Sequence, residues 1–165
     1  MLEVQPKDSR GYFILPQTPE DAGYYVYGTP DRGRAQYASP RLLSVIFYIE
    51  REWQAIDDRK FGIGNISIAG GLPYDEHRSH QKGIEVDIRP VRKDKLVGHG
   101  ASLTRFDSAY DQEATTKLIR LFADHPMVKI IYFNDDKVQQ AIGGSRVKSL
   151  TRHDDHFHVD LKVMP

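Results

Sequence analysis

The 165-residue sequence contains no cysteine. This absence excludes disulfide bonds and thiolate metal sites, so any zinc ion must be held by histidine and carboxylate side chains. It leaves the redox compartment open, because a cysteine-free protein functions on either side of a membrane.

Net charge and long apolar runs are also missing. Twenty-three basic residues balance twenty-three acidic ones, so no global field draws the chain to nucleic acid or to an anionic membrane. No segment has the length and apolarity of a membrane-spanning helix. Residues 1–8 lack the basic start and apolar stretch of a secretory signal. We therefore expect a soluble protein with no nucleic-acid partner and no membrane insertion.

The remaining composition, 39% hydrophobic and 28% charged, is typical of one ordinary domain with a single core. We predict one domain over residues 1–165. Residues 1–38 are rich in proline, glycine and tyrosine, and they are predicted to form a loop-rich segment packed on that domain, with a short strand at 23–30.

Hydrophobic residues spaced three and four apart predict two core helices, at residues 40–57 and 109–124. The first begins at a strong signal, because the capping hydroxyl of Ser39 is followed by Pro40 at the first helical position. A third, shorter helix is predicted at 135–142.

Residues 61–64 are expected to end the first helix. Alternating or continuous apolar residues predict the strands. The strands are predicted at residues 65–69, 84–89, 127–133 and 156–163. We therefore predict an α+β fold, with a mostly antiparallel sheet, flanking helices and a zinc site on the open face of the sheet.

Titratable side chains are concentrated near the end of the chain, where residues 153–160 carry three of the seven histidines and three aspartates. From His156 onward the residues alternate, so His156, His158 and Asp160 share the polar face of a strand. Neighbours on one face stand roughly 7 Å apart. One histidine can therefore bind a metal while another moves a proton.

A second histidine pair, His77 and His80, precedes another alternating strand. A turn at Gly83 would bring His80 and Asp87 to one ion. Together with His158 they supply two imidazoles and one carboxylate, a composition typical of open catalytic zinc sites. Magnesium and calcium prefer oxygen ligands, so the set favours zinc.

The remaining two histidines, His99 and His125, lie outside both clusters and are expected to be ordinary surface residues. The aspartates near the last motif have two open interpretations. Asp154, Asp155 and Asp160 are close enough in sequence to orient the imidazoles, or they are solvated turn residues.

Both clusters resemble a known group. The stretch from Ser79 to Asp87 is similar to the SHxxGxxxD motif of the LAS metallopeptidases. The pattern His153-x-x-His156-x-His158 resembles the HxxHxH motif of the penicillin-insensitive murein endopeptidases. The likeness extends over roughly residues 23–163, and the two motifs occur in the family's order.

The resemblance implies a role for each matching residue. The zinc ligands would be His80, Asp87 and His158, with one Zn²⁺ per chain, and the catalytic histidines would be His153 and His156. Supporting or substrate-binding roles are predicted for His77, Arg78, Ser79 and Asp155. Basic residues near the motifs would hold substrate carboxylates or carry ordinary surface charge; they are Arg78, Lys82, Arg89 and Arg152.

The expected function is that of a zinc peptidase that hydrolyses peptide crosslinks of peptidoglycan, between D-alanine and meso-diaminopimelate. One of the two catalytic histidines would take the proton of the attacking water and the other would stabilise the oxyanion, in an order that the sequence leaves open. Two alternatives stay open: a D-Ala-D-Ala carboxypeptidase or dipeptidase, whose last motif is typically ExxH, and a non-catalytic, zinc-stabilised wall-binding module.

The substrate that the resemblance implies lies in the bacterial cell wall, and residues 1–8 lack the pattern of an export signal. We therefore expect delivery by a secretion system, by phage lysis or as part of a larger parent chain. An antibacterial effector with an immunity protein as its partner is one such expectation.

Overall fold

The structure, a computed structural model, describes residues 7–17, 20–27, 34–74 and 79–163. Within these ranges the helices are α1 (Pro40–Gln54), α2 (Gln112–Asp124) and α3 (Asp136–Ile142). The strands are β1 (Phe13–Ile14), β2 (Tyr24–Val26), β3 (Tyr37–Ala38), β4 (Phe61–Ile63), β5 (Glu85–Ile88), β6 (Val128–Tyr132), β7 (Val147–Lys148) and β8 (Phe157–Leu161). Single 3₁₀ turns lie at Ala69–Gly71 and His99–Ala101.

Side-chain caps set where the helices begin. The Ser39 hydroxyl accepts a hydrogen bond from the backbone N–H of Leu42, and Pro40 occupies the first helical position of α1. Carboxylates cap the other two helices: Asp111 caps α2 and Asp135 caps α3. All three helices form where the sequence predicts them, with bounds shorter by three residues for α1 and α2 and by one residue for α3.

Six strands form the main sheet, in the order β2-β4-β5-β8-β6-β7. The inner pairs β4/β5, β5/β8 and β8/β6 are antiparallel, and the outer pairs β2/β4 and β6/β7 are parallel. A separate two-stranded antiparallel sheet joins β1 to β3. The predicted α+β class is therefore confirmed.

The helices cover one face of the main sheet. Val86 on β5 and Phe157 and Val159 on β8 are fully buried in one hydrophobic cluster with residues of α1 and α2. The Phe157 ring meets Phe122 of α2 with 5.9 Å between ring centroids. Burial of each such side chain contributes about 1.5–3 kcal/mol. Because side chains alternate along a strand, the intervening residues of β5 and β8 project from the opposite face.

The strand predicted at residues 65–69 is wrong, because β4 lies at Phe61–Ile63, where the sequence suggested only the close of the first helix. The alternation at 65–69 has another cause. Ile66 N–H donates to the carbonyl of Ala35, and Ser67 forms an isolated β-bridge with Gln36. This segment therefore pairs with the N-terminal region at Ile66 and Ser67 and with β5 at Asn65, whose carbonyl accepts from the N–H of Asp87.

The strand expected within residues 23–30 is β2, at Tyr24–Val26. Gly28, Thr29 and Pro30 lie outside the described residues. In the described part of the chain, no helix has both the length and the apolar character needed to cross a bilayer.

Candidate metal centre and active site

The candidate centre is built on the paired strands β5 and β8, on the face that the helices leave uncovered. In the antiparallel register Asp87 lies directly opposite His158, and Glu85 lies opposite Asp160. Directly opposed residues have Cβ atoms about 4.5–5.5 Å apart. Strand register alone therefore places a carboxylate next to an imidazole at the centre of the sheet.

His80 reaches the same point from the loop that precedes β5. Its φ of 63° lies in the left-handed region that side chains other than glycine rarely adopt. The backbone N–H of His80 donates to the Glu85 carboxylate at 2.5 Å, and Gly83 turns the chain with a φ of 62°. The strained residue is thus held in place by a hydrogen bond to the first residue of β5.

Three ligand-type atoms converge at this point. Oδ1 of Asp87 lies 2.8 Å from Nδ1 of His158 and 3.1 Å from Nε2 of His80. The three residues are 3%, 5% and 1% exposed, respectively. Their ligand atoms all lie within 4.8 Å of one another. The predicted ligand residues are therefore brought together by the fold.

The outward-facing nitrogens of both imidazoles are already engaged. Nδ1 of His80 lies 3.2 Å from the carbonyl oxygen of Ile66, and Nε2 of His158 lies 2.9 Å from Oδ1 of Asp160. Both partners only accept hydrogen bonds, so each of these nitrogens carries a hydrogen in its contact. The inward nitrogens, Nε2 of His80 and Nδ1 of His158, face Oδ1 of Asp87, where a proton or a bound cation would compensate the carboxylate.

The distances suit a zinc ion. Zinc ligands at about 2.0–2.1 Å in a tetrahedron stand roughly 3.3 Å from one another, close to the 2.8 and 3.1 Å between the atoms here. The carbonyl and carboxylate behind the imidazoles are the outer partners that metal-bound histidines use. If these two nitrogens and one oxygen held a zinc ion, one tetrahedral position would be left for water.

The pKa values of Asp87 and His158 both indicate that positive charge is stabilised between these residues. Burial would raise the pKa of Asp87, but hydrogen bonds with His158 and His80 hold it far below its usual range. Burial would lower the pKa of His158, but Asp160 and Asp87 raise it to about 9. A proton or a metal ion at this point is therefore strongly favoured.

The two predicted catalytic histidines lie beside the centre. Nε2 of His156 is 3.7 Å from Oδ1 of Asp87, and its Nδ1 is 2.8 Å from the Asp155 carboxylate. His153 lies with its ring centroid 4.7 Å from that of His156 and 5.8 Å from that of His158. An imidazole pair thus stands beside the three candidate ligands.

The sequence pattern of the penicillin-insensitive murein endopeptidase family matches residues 15–102, more than half of the 165 residues. The chain belongs to this family. It is therefore a murein endopeptidase, a hydrolase whose substrate is the peptidoglycan of the cell wall. No curated protein matches the chain. The matched region includes His80 and Asp87 and ends before His158, which the pairing of β8 with β5 brings to them.

The aspartates of the last motif have different partners in this murein endopeptidase. Asp155 contacts His156 and Asp160 contacts His158, as the orienting interpretation requires. The Asp154 carboxylate instead accepts from Nε of Arg105 at 3.1 Å. Asp154 therefore anchors the loop rather than an imidazole.

The other predicted site residues are less informative. His77 and Arg78 lie outside the described residues, and Ser79 is half-buried at the start of the loop that carries His80. The two histidines expected at the surface differ: His99 is exposed, whereas His125 is half-buried and packs against Tyr48.

Arg89, considered for substrate carboxylates, is 6% exposed and donates to the carbonyls of Gly98 and His99. Its guanidinium stacks on the Tyr27 ring at 3.8 Å. Arg89 is thus part of the packing around the centre.

One supporting residue, Asn134, was missed by the sequence reasoning. Its backbone N–H donates to the carbonyl of His153 at 2.9 Å, and its side-chain amide contacts Leu150 N–H and the Asp154 carboxylate. It follows a buried strand and precedes a helix cap. No local pattern connects such a position with a loop 16 to 20 residues further along the chain.

Proposed function

We propose that this murein endopeptidase depends on one Zn²⁺ ion held by His80, Asp87 and His158. The convergence of two imidazole nitrogens on one carboxylate oxygen, at 2.8 and 3.1 Å, is the observation that carries the proposal. A buried carboxylate is costly unless a proton or a cation pairs with it, and the outer nitrogens of both imidazoles are already engaged by acceptors.

A zinc ion bound there would lower the pKa of its water and polarise the scissile carbonyl. The imidazoles of His153 and His156 transfer the proton and stabilise the oxyanion. One accepts the proton of the attacking water and returns it to the leaving amine, and the other donates a hydrogen bond to the oxyanion. Asp155 holds Nδ1 of His156, so Nε2 is the nitrogen that faces the centre.

The proposed bond is the amide between D-alanine and meso-diaminopimelate in the crosslink. The motif His153-x-x-His156-x-His158 resembles that of murein endopeptidases and differs from the ExxH pattern of D-Ala-D-Ala carboxypeptidases. A non-catalytic wall-binding module would need the three ligands but not a second imidazole pair beside an open position.

The test is digestion of purified crosslinked peptidoglycan by the wild type and by His80→Ala, with zinc measured in both by elemental analysis. We expect about one zinc per wild-type chain, conversion of crosslinked dimers to monomers, and loss of both in the variant. His99→Ala is the matched control, because His99 is exposed and lies in a separate 3₁₀ turn. Full activity of His80→Ala would overturn the proposal.

Mass spectrometry of the products tests the bond. Cleavage at the proposed amide leaves a tetrapeptide stem that ends in D-alanine and a free amine on diaminopimelate. Release of terminal D-alanine from monomers alone would identify a carboxypeptidase. Zinc binding with no product from either substrate would identify a binding module. Delivery as an antibacterial effector and an immunity protein as partner stay predictions.

A further inference from the structure

The hydroxyl of Tyr27 is a buried polar group without a partner. Tyr27 is half-buried as a residue, but its hydroxyl oxygen is shielded from solvent and forms no hydrogen bond with the residues that the structure describes. A buried hydroxyl in this condition destabilises the native state, and a phenylalanine ring would fill the same space without that cost. Packing alone therefore does not account for a tyrosine at this position.

The main sheet places Tyr27 on the face that carries the candidate centre. Ile63 of β4 and Ile88 of β5 are paired and fully buried in the core. Because side chains alternate, the next pair, Gly64 and Asp87, faces the opposite side, and the N–H of Gly64 donates to the carbonyl of Asp87 at 2.8 Å. Tyr27 continues β2 along β4, since its N–H donates to the carbonyl of Ile63 at 3.0 Å. Tyr27, Gly64 and Asp87 therefore lie side by side across the sheet.

Gly64 leaves the space that the Tyr27 ring occupies. A Cβ atom at Gly64 would stand 2.7 Å from Cζ and 2.9 Å from Oη of Tyr27, a clash that only glycine avoids. On its other side the ring is covered by the Arg89 guanidinium, 3.8 Å from the ring centroid. The hydroxyl is thus held over β4. Neighbouring strands lie about 4.8 Å apart, so Asp87 on β5 is roughly one strand spacing away.

The Tyr27 hydroxyl and the Asp87 carboxylate are complementary groups. Burial raises the pKa of Tyr27 well above its usual value, and the negative charge of Asp87 raises it further. The hydroxyl therefore keeps its hydrogen at neutral pH and can donate it. The carboxylate only accepts, and its two oxygens offer about four lone-pair sites. Contacts of Oδ1 with His158 and His80 leave some of these sites for a further donor.

Asp87 would approach the hydroxyl when the centre holds zinc. Ligand atoms of one zinc ion stand roughly 3.3 Å apart, whereas Oδ1 of Asp87 and Nδ1 of His158 are 2.8 Å apart. The carboxylate would therefore move away from His158. Strands β8 and β4 flank β5 on opposite sides, so movement away from His158 is movement toward the Tyr27 hydroxyl over β4.

We propose that the Tyr27 hydroxyl donates a hydrogen bond to the Asp87 carboxylate when zinc is bound, an inference that rests on the proposed function. Tyr27 is then a positioning residue, which acts on the reaction through a metal ligand. Carboxylates that bind metals are themselves held by hydrogen bonds, and these outer contacts support metal affinity.

The test is Tyr27→Phe, which removes the hydroxyl and keeps the ring between Gly64 and Arg89. We expect zinc affinity, measured by competition with a chromophoric chelator, to fall about tenfold to a hundredfold. The urea midpoint of the metal-free protein should stay the same or rise, since an unpartnered hydroxyl is removed. Tyr24→Phe is the matched control in the same strand, because the Tyr24 hydroxyl donates to the carbonyl of Pro16 at 2.8 Å. That variant should show the opposite pattern, with unchanged zinc affinity and a lower midpoint.

Two results would overturn this inference alone. If the wild type binds zinc and Tyr27→Phe binds it equally well, the hydroxyl does not support Asp87; a lower kcat in that case would indicate a contact with the substrate instead. A lower urea midpoint of metal-free Tyr27→Phe would show that the hydroxyl has a partner without zinc. Failure of the wild type to bind zinc would overturn the proposed function and this inference together.

Discussion

At the scale of single residues, Asp87 is the point on which the candidate centre depends. Its Oδ1 lies within 3.1 Å of one histidine nitrogen and 2.8 Å of another. Alternation along β5 and β8 predicts that Asp87 and His158 occupy polar faces, and the structure places them opposite each other. The identity of these residues was therefore accessible from the sequence.

Asp160 controls the orientation of His158 through a 2.9 Å contact with Nε2. We expect Asp160→Asn to weaken zinc binding about tenfold to a hundredfold, because outer partners fix the ring and increase its basicity. Competition with a chromophoric chelator measures the affinity. Asp58→Asn is the control, since Asp58 pairs with Lys95 at the surface. An unchanged affinity in Asp160→Asn would show that the contact does not support the metal.

Asn134 positions the loop that carries His153 and His156. We expect Asn134→Ala to lower kcat about tenfold or more while zinc content stays at the wild-type level, because misplacement of catalytic groups is costly. Steady-state kinetics on crosslinked dimers and elemental analysis give the two readouts. Gln140→Ala, an exposed change on α3, serves as the comparison. Loss of zinc together with activity would point to a general structural role instead.

At the scale of secondary-structure elements, residues close in sequence determine where each helix begins. Ser39 with Pro40, Asp111 and Asp135 mark the starts of α1, α2 and α3, and each cap is made by that residue. Capping depends on atoms within three residues, so sequence determines it. Strand β4 could not be predicted from local sequence, because its pairing with β2 and β5 depends on distant segments.

Asp135 links the cap of α3 to α2. Its carboxylate accepts from the N–H groups of Lys137 and Val138 and from Tyr110 and Gln112. We expect Asp135→Ala to lower the free energy of unfolding by about 2–3 kcal/mol, since a cap is lost and a buried hydroxyl is left unpaired.

Urea denaturation of Asp135→Ala measures this loss. The neighbouring change Asp136→Ala is the control, because Asp136 is exposed. A loss of the same size in both variants would refute the special role of Asp135.

Asp8 makes the stability of the N-terminal segment depend on pH. Burial would raise its pKa, but hydrogen bonds from Arg10, Gly70 and Tyr12 lower it from 3.8 to about 2. Its contribution is therefore complete above pH 3.8 and is lost as the pH falls toward 2. We expect Asp8→Asn to be less stable than the wild type at pH 6, with a smaller difference at pH 3. Urea midpoints at both pH values check this, and a constant difference would contradict it.

At the scale of the whole molecule, the proposed ligands join β5, β8 and the loop before β5. Zinc at a hundredfold above its dissociation constant would stabilise the native state by about 2.7 kcal/mol. For a chain of this size we expect the Tm to rise by about 5–10 °C. Scanning calorimetry with and without a chelator measures the shift. His80→Ala should show none, and an equal shift in that variant would place zinc elsewhere.

The sequence by itself determined the helix starts, the polar faces of β5 and β8 and the ligand residue types, because each depends on neighbours within a few positions. Tertiary structure decided which of these residues meet. Asp87 and His158 are 71 positions apart, and only strand pairing joins them. The contact of Asp154 with Arg105, 49 positions away, likewise arises between distant segments. Such contacts form only when the packed core fixes the register.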